Sequence, residues 1–406
     1  MLATALLLAG ISALAVNLRA AITSLPPVFP ELAAALHLSG AALALLAAMP
    51  ALCFGLFSGV AAPLGRRFGE ERVLGAALAL LAAGLLLRGG WPGALLFPGT
   101  VLAGAAVALM NVLLPSLVKR RNPDRAGLLI GSYLLLLSAG AVLASLIAVP
   151  VFRAAGGGSE AVRVTLGMWA LPAALAAVVW LPQLRYRTVP QARQTGTGGV
   201  LAMRRYPLAW QVMAFMGLQS LLYYAALSWF PTLLRDRGIS AAHAGDLLAL
   251  MNFGNAVTAL LMPVLAHRAR DQRWLVAVST LATGSGMAGA AFAPPGSAAA
   301  WMLLLGLGQG ATLGLAIFFT VARAPDPETA ASLSGFAQGA GYLIASLGPL
   351  LLGFLHAVTG GWTIPVLVLL AVAVAQTIAG WLAGRARTVP RGNGSGSIEP
   401  AAAARR

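Results

Sequence analysis

The chain has 406 residues, of which 59% are hydrophobic and only 9% are charged, against roughly a quarter charged in an average soluble protein. Its formal net charge is +16, and it contains a single cysteine, Cys53. This composition excludes an ordinary soluble domain, and one cysteine excludes a disulfide within a single copy of the chain. It indicates a protein embedded in a membrane.

Charged residues are absent from long stretches of the chain. None occurs between Glu31 and Arg66, or between Arg205 and Arg235. A helix needs about 20 apolar residues to span a bilayer, whereas barrel strands alternate over about ten. The pattern predicts an all-α polytopic membrane protein with twelve transmembrane helices. We place them at residues 7–33, 41–64, 73–90, 95–118, 127–152, 164–183, 208–233, 243–266, 274–293, 299–322, 330–356 and 362–384.

The positive charge lies on one side of these predicted helices. The loops 65–72, 119–125, 184–207, 267–273 and 323–329, together with the C-terminal tail, carry 21 of the 27 Lys and Arg residues. The loops on the other side carry five, Arg88 among them. Basic loops face the cytoplasm. We therefore expect a multi-pass protein of the bacterial inner (plasma) membrane, with both termini cytoplasmic and the lipid bilayer, not nucleic acid, as the partner of its charge.

The chain repeats itself weakly at an offset of about 201 residues. "FPELAAALHLS" aligns with "FPTLLRDRGIS", "GRRFGEERVL" with "HRARDQRWLV", and "LASL" with "IASL". Such a repeat predicts two six-helix halves of the same topology, related by an axis along the membrane normal. The predicted domains are an N-terminal bundle at 1–183, a cytoplasmic linker at 184–207, a C-terminal bundle at 208–384 and a disordered cytoplasmic tail at 385–406.

Arg19 is the charged residue that the predicted spans do not explain. The repeat places it near the middle of the first span, where a charge is costly and marks function by default. All eleven Asp and Glu residues fall in loops, helix ends or the tail. Arg19 therefore lacks a counter-ion at its depth, and a guanidinium suits a carboxylate-like ligand. Two alternatives stay open: a cap on backbone carbonyls at a kink near Pro26, or a gate residue.

Other polar side chains inside the spans are candidates for lining a transport cavity. Their alternative roles are hydrogen bonds between helices and aromatic packing near the membrane surface. The candidates are Thr23, Asn111, Gln219, Tyr223, Tyr224, Asn252, Gln309, Gln338 and Tyr342. The spans hold no convergent His, Cys, Asp and Glu at one depth, so we predict neither an enzyme nor a metal or other cofactor.

Several segments taken together resemble a known family. They are "NLRAAITSLPP", "MPALCFGLFSGVAAPLGRRFG", "LPSLVKRRNPDRAGLLIGSY", "LQSLLYYAALSWFPTLL" and "LSGFAQGAGYLIASLGPLLLG". With the six-plus-six repeat, they resemble the major facilitator superfamily and, within it, the cyanate and 2-nitroimidazole porter family. The resemblance implies a secondary transporter for a small planar solute that is anionic or carries a nitro group.

The resemblance also implies a gating loop after the second span, with an echo after the eighth. "RRFGEER" (66–72) is similar to the superfamily's loop signature, with Arg66 in the place of the usual acidic residue. That difference leaves the usual gating salt bridge in doubt. The arginines of the two loops are Arg66, Arg67, Arg72, Arg268 and Arg273.

The sequence thus predicts a transporter that works by alternating access as a monomer, with Arg19 as the substrate counter-charge. The absence of an embedded carboxylate favours uniport, exchange, or symport in which the substrate brings its own proton. Three alternatives stay open. The first is a drug or antibiotic exporter on the same fold, for example for nitroimidazoles. The others are a membrane-embedded enzyme and a receptor that transports nothing.

Overall fold

The computed structural model describes residues 2–121, 126–188 and 199–390. All regular secondary structure in these ranges is helical. They contain twelve stretches long and apolar enough to cross a membrane, which confirms the predicted fold class. The helices are α1 (Leu2–Thr23), α2 (Phe29–Leu36), α3 (Gly40–Phe68), α4 (Glu70–Gly90), α5 (Pro92–Arg121), α6 (Ala126–Ala154), α7 (Gly158–Gly167), α8 (Ala170–Trp180), α9 (Gly199–Ala202), α10 (Pro207–Asp236), α11 (Ala241–Arg268), α12 (Arg273–Phe292), α13 (Ala298–Ala322), α14 (Pro327–Thr359) and α15 (Thr363–Ala383).

Helices α3 and α11 show how the repeat is built into local structure. The Ser39 side chain caps α3 by accepting a hydrogen bond from the backbone N–H of Ala42, at 3.2 Å. Ser240 caps α11 in the same way through the N–H of His243, at 3.3 Å. A serine at this position satisfies an N–H that has no partner within the helix. The two caps lie about 201 residues apart, as the repeat requires.

The first span is broken, whereas the sequence predicts one helix over 7–33. Helix α1 ends at Thr23, a 3-10 turn follows at Pro26–Val28, and α2 continues from Phe29. Pro26 and Pro27 have no N–H to continue the hydrogen-bond ladder, and a proline disfavours helical backbone in the residue before it. The break lies one turn beyond Arg19.

The predicted loop 65–72 is wrong in its extent. Helix α3 continues to Phe68 and α4 begins at Glu70, so Gly69 alone separates them, at a φ of 93°. Glu70 and Glu71 are fully buried in the first turn of α4. Glu70 accepts a hydrogen bond from Ser116 at 2.8 Å. Glutamates there complement the positive end of the helix dipole.

The two halves meet at one end of the bundle. We call the end where α1 begins and α15 ends the terminal end, and the opposite end the distal end. At the distal end Arg235 donates to Glu31 at 2.7 Å. The rings of Phe29 and Trp229 lie edge to face, with centroids 6.0 Å apart. These contacts join α2 of the N-terminal half to α10 of the C-terminal half.

Helices α3 and α14 also lie close together at the distal end. At the distal end a Cβ added to Gly40 would lie 3.8 Å from the Cβ of Ala357. Near the middle, one added to Gly55 would lie 3.2 Å from the backbone nitrogen of Leu343. One turn further toward the terminal end, Gly59 and Gly339 have nothing within 4 Å of such a Cβ. The two helices therefore diverge toward the terminal end.

The described residues just before and just after the C-terminal half pack against the helical bundles. Before the gap at 189–198, Thr188 donates its backbone N–H to Glu71 at 2.7 Å. After α15, Val389 is fully buried, and its N–H donates to the carbonyl of Arg323 at 2.8 Å. Residues 391–406 of the predicted tail lie outside the described residues, and the domain boundaries remain predictions.

Candidate functional site

Arg19 lies on α1 at the meeting of the two halves. Its Nη1 donates to the hydroxyl of Tyr223 at 2.9 Å. Its guanidinium also lies 5.3 Å from the centroid of the Tyr223 ring. Tyr223 is near the middle of α10, a 30-residue helix, so Arg19 is at mid-span depth. Arg19 as a whole residue is half-buried.

A chain of side-chain hydrogen bonds continues from Tyr223 across the halves. The Tyr223 hydroxyl donates to Oδ1 of Asn252 at 3.0 Å. Nδ2 of Asn252 then donates to Oγ of Ser145 at 3.4 Å. The chain therefore runs from α1 to α10, then to α11, and back to α6 of the N-terminal half. It thereby links Arg19 to Asn252 and Ser145, which form a second hydrogen bond between the halves.

Aromatic rings form a wall beside this chain. Tyr223 and Tyr224 are edge to face, with centroids 5.4 Å apart. Phe54 on α3 lies 5.4 Å from Tyr342 and 6.4 Å from Tyr224, also edge to face. Phe54 is a wall residue that the sequence analysis missed, because a phenylalanine in an apolar span carries no signal of its own.

Asn111 joins this region through a second residue that the sequence analysis missed. The hydroxyl of Tyr133 on α6 donates to Oδ1 of Asn111 on α5 at 3.0 Å. Asn111 is half-buried and Tyr133 is buried. A tyrosine inside a predicted span was a usable signal for Tyr133, of the same kind that selected Tyr223.

Four other candidates make hydrogen bonds to groups other than the guanidinium of Arg19. Thr23 is buried, with its hydroxyl 3.0 Å from the carbonyl of Arg19 and 3.3 Å from that of Ala141. Gln219 donates to Gln309 at 3.4 Å, and both are buried within the C-terminal half. Gln338 is exposed and donates to Ser334, one turn away, at 2.7 Å. The bonds of Thr23 to Ala141 and of Gln219 to Gln309 tie helices together, whereas that of Gln338 stays within α14.

The candidate gating arginines lie at the terminal end. Arg66, Arg67, Arg72 and Arg268 are exposed, and Arg273 is half-buried. Arg273 lies 3.6 Å from Asp271 and over the ring of Trp381, at 5.7 Å from its centroid. The ion pairs recorded between described residues near this end stay within one half, as those of Arg120 with Glu70 and Arg121 with Glu71 do.

Arg88 corrects the sequence analysis, which placed it in a distal loop. It lies in the last turn of α4 and is 1% exposed. Its Nη1 donates to the backbone carbonyl of Ala21 on α1 at 3.1 Å. The carbonyl cap that was one alternative for Arg19 is therefore made by Arg88. Its position next to "GG" at a predicted helix end concealed its burial.

The surroundings of Arg19 are polar but carry no negative charge in the described part of the chain. The groups that interact with it electrostatically are the hydroxyls of Tyr133, Tyr223, Tyr224 and Tyr342. Each ion pair found between described residues involves other cations. A guanidinium bordered by phenols can bind an anion or a nitro group through its fork, while the rings contact a flat solute.

Comparisons with known proteins agree with this architecture. The model of the Major Facilitator Superfamily matches residues 5–349. The chain is 39% identical to the 2-nitroimidazole transporter of Escherichia coli (strain K12), over 94% of this chain and 96% of that one. It is 32% identical to the cyanate transport protein CynX of the same organism, over 85% and 88% of the two chains.

Among solved structures, the nucleoside transporter NupG superposes with a TM-score of 0.74 at 14% identity. That match covers 93% of this chain and 98% of the other, and it supports the fold. The family match and the two relatives settle the class of protein: a membrane transporter and not an enzyme. The chain belongs to the major facilitator superfamily and resembles its cyanate and 2-nitroimidazole porters.

Proposed function

We propose that this transporter carries a small planar solute with a negative charge or a nitro group, and that Arg19 is its counter-charge. One observation carries the proposal: the guanidinium of half-buried Arg19, at mid-span depth, is bonded to a phenol, Tyr223, and not to a carboxylate. A charge at this depth is costly unless it is paired. The ligand would supply that pairing.

The neighbours of Arg19 would orient such a solute. Tyr223 and Asn252 offer a hydroxyl and an amide beside the guanidinium, and Asn111 would add an amide bonded to Tyr133. The rings of Tyr224 and Tyr342, with Phe54, would contact the flat faces of the solute. The relatives named for 2-nitroimidazole and cyanate support this class, because both solutes present electron-rich atoms to a planar donor.

The transport cycle would be alternating access, in which the two halves rock about the Arg19 site. We propose that the terminal end faces the cytoplasm of a bacterial inner membrane, as the basic loops indicate. The halves would be 1–183 and 208–384, joined by the linker 184–207 and followed by the tail from 385. One chain holds both halves, so we propose that the monomer is the working unit.

Efflux of a nitro-bearing drug is the second candidate. The aromatic wall of Phe54, Tyr224 and Tyr342 favours it, because rings bind a nitroaromatic solute as readily as a small anion. Growth in the presence of 2-nitroimidazole, with and without expression, separates the directions. Export would raise resistance and import would lower it.

Thermal unfolding of the purified protein tests the ligand site. The panel is cyanate, nitrate, nitrite, bicarbonate, short carboxylates and 2-nitroimidazole, added to wild type, Arg19→Gln and Arg19→Lys. A ligand at 100 times its Kd stabilises the native state by about 2.7 kcal/mol. We expect one class of solute to stabilise wild type and not Arg19→Gln. Arg19→Lys should respond weakly, because lysine keeps the charge but lacks the fork.

The matched control is Arg153→Gln, which removes an exposed arginine at the end of α6 and should respond as wild type does. An equal response in Arg19→Gln and wild type would show that Arg19 is not the counter-charge.

A further inference from the structure

We propose that Arg88 is a positioning residue for the transport site. It holds the free carbonyl at the break in α1 and thereby fixes the segment that carries Arg19. The effect on the conformation of α1 stands on the structure alone. The effect on ligand affinity rests on the proposed function.

Arg88 is an unusual group to bury. It is 1% exposed, and within the described residues Nε and Nη2 have no hydrogen-bond partner, which leaves the bond from Nη1 to Ala21. A guanidinium does not lose its proton in a protein, and burying a charge without a carboxylate is costly. Stability is therefore a poor reason for an arginine here, where methionine would fill much of the same space.

The carbonyl that Arg88 binds is one that the helix leaves free. In an unbroken helix, the N–H of Leu25 would bond to the carbonyl of Ala21. Here that N–H instead points to Ile22, at 3.5 Å. An unpaired carbonyl inside an apolar bundle costs free energy comparable to a lost hydrogen bond. Arg88 supplies the missing donor from α4, which is a different helix.

Helix α4 gives Arg88 a rigid base. A Cβ added to Gly89 would lie 2.4 Å from the Cα of Gly167 on α7. One added to Gly99 on α5 would lie 2.8 Å from the backbone nitrogen of Arg88. The backbone around Arg88 is therefore packed tightly on two sides. Through its bond to Ala21, the guanidinium fixes the end of α1 relative to α4.

The segments on either side of the break have different tasks. Before it lies Arg19, two residues from Ala21. After it lies α2, which reaches the C-terminal half through Phe29 and Glu31. If the distal contacts separate during transport, the break is the point where α2 can move without carrying Arg19 along. Arg88 would keep the Arg19 side of that hinge in place.

Spin-label distances test the hinge without any ligand. Exposed Ala34 on α2 and exposed Ala299 on α13 would be changed to cysteine in a Cys53→Ala background. The control pair is exposed Ala41 on α3 with Ala299, which does not cross the break. In Arg88→Met we expect a broader distance distribution for 34–299 and an unchanged one for 41–299. Arg88→Lys should restore the narrow distribution, because lysine still has a donor for the Ala21 carbonyl.

A second variant covers the case in which Arg88→Met does not fold. Gly99→Ala keeps Arg88 but adds a methyl group 2.8 Å from its backbone nitrogen and 3.0 Å from its Cβ. It should broaden 34–299 to a smaller extent. Equal broadening of both pairs would show that Arg88 only stabilises the N-terminal half, and no broadening in either variant would also overturn the proposal.

Ligand affinity provides the functional measurement, with 2-nitroimidazole and cyanate as the probes. We expect Arg88→Met to bind about tenfold more weakly, in line with the loss of one charge-assisted hydrogen bond. Its unfolding temperature without ligand should not fall, and Arg88→Lys should recover affinity. If neither probe binds wild type, the proposed function fails, and the spin-label distances still decide the role of Arg88.

Discussion

The distal and terminal ends of the bundle differ in how the two halves meet. At the distal end an ion pair, a pair of aromatic rings and a close approach of α3 to α14 join them. At the terminal end, Gly59 and Gly339 on the same two helices have open space around them. The side-chain hydrogen bonds that cross between described residues of the halves are those of Arg19, Asn252 and Arg235.

This difference shows which contacts must break for the site to face the other way. The halves share the mid-span chain from Arg19 to Ser145 and the distal contacts beyond it. Under the proposed orientation, the halves are in contact on the outward side, and α3 and α14 diverge on the cytoplasmic side. Four sets of substitutions test this difference between the two ends, and they follow in order of decreasing expected effect.

The largest effect is expected from locking the distal end. A Cβ on Gly40 would lie 3.8 Å from the Cβ of Ala357, which is close to the mean for disulfides. In a Cys53→Ala background, Gly40→Cys with Ala357→Cys should form a disulfide under mild oxidation and abolish transport, and reductant should restore it. Gly59→Cys with Gly339→Cys is the matched control at the terminal end. Full transport in the oxidised distal pair would contradict rocking about this end.

The next effect comes from forcing the distal contact apart. A Cβ on Gly353 would lie 2.5 Å from the Cβ of Ala44 and 2.6 Å from Cζ2 of Trp229. Gly353→Val should therefore lower the free energy of unfolding by about 1–3 kcal/mol through overpacking. Gly59→Val, with open space around it, should change it much less. Urea or thermal unfolding in one detergent compares the two, and equal losses would disprove the asymmetry between the ends.

A smaller effect is expected from the distal ion pair. Glu31 and Arg235 have side chains that are 19% and 22% exposed, and they lie 2.7 Å apart. Partly exposed pairs contribute up to about 1 kcal/mol. A double-mutant cycle with Glu31→Gln and Arg235→Gln should give a coupling of that size, lower in high salt. A coupling that does not respond to salt would indicate a hydrogen bond without net ionic character.

The smallest effect is expected where the mid-span chain ends. The bond from Asn252 to Ser145 is long, at 3.4 Å. Side-chain hydrogen bonds between membrane helices contribute about 0.6 kcal/mol on average. Ser145→Ala should therefore change stability by no more than that and leave ligand binding intact. Ser138→Ala, at a half-buried position on the same helix, is the control. A large loss at Ser145 would mean that this bond closes the halves.

Much of the architecture could be predicted because the bilayer restricts it. A spanning segment must be apolar and must satisfy its own backbone, so twelve apolar stretches of the sequence correspond to twelve candidate spans in the described residues. The predicted helix boundaries were wrong where proline or glycine overrides hydropathy. Pro26 and Pro27 break the first span, and one glycine with a positive φ, Gly69, replaces an eight-residue loop.

The candidate site could be predicted only in part. A lone charge at mid-span depth marks Arg19, and tyrosine inside a span marks Tyr223. By contrast, Gln219 and Gln309 carry the same polar signal but are bonded to each other. The prediction for Arg88 was wrong in the opposite direction. A charge beside glycines at a helix end predicts an exposed loop residue, but Arg88 is buried. Which way a side chain faces and how deeply it is buried depend on how the helices pack. The spacing of polar residues along the sequence does not reveal either.

The sequence by itself determined the class of protein, the number of spans, the two-fold repeat and one mid-span charge without a counter-ion at its depth, Arg19. Each of these follows from composition or spacing along one chain, because the cost of burying charge acts on every residue separately. Only the tertiary structure decided that Tyr223 and Asn252 connect Arg19 to the other half, that Arg88 caps the break in α1, and that the halves are closed at the distal end. These depend on helices that are far apart in sequence and adjacent in space.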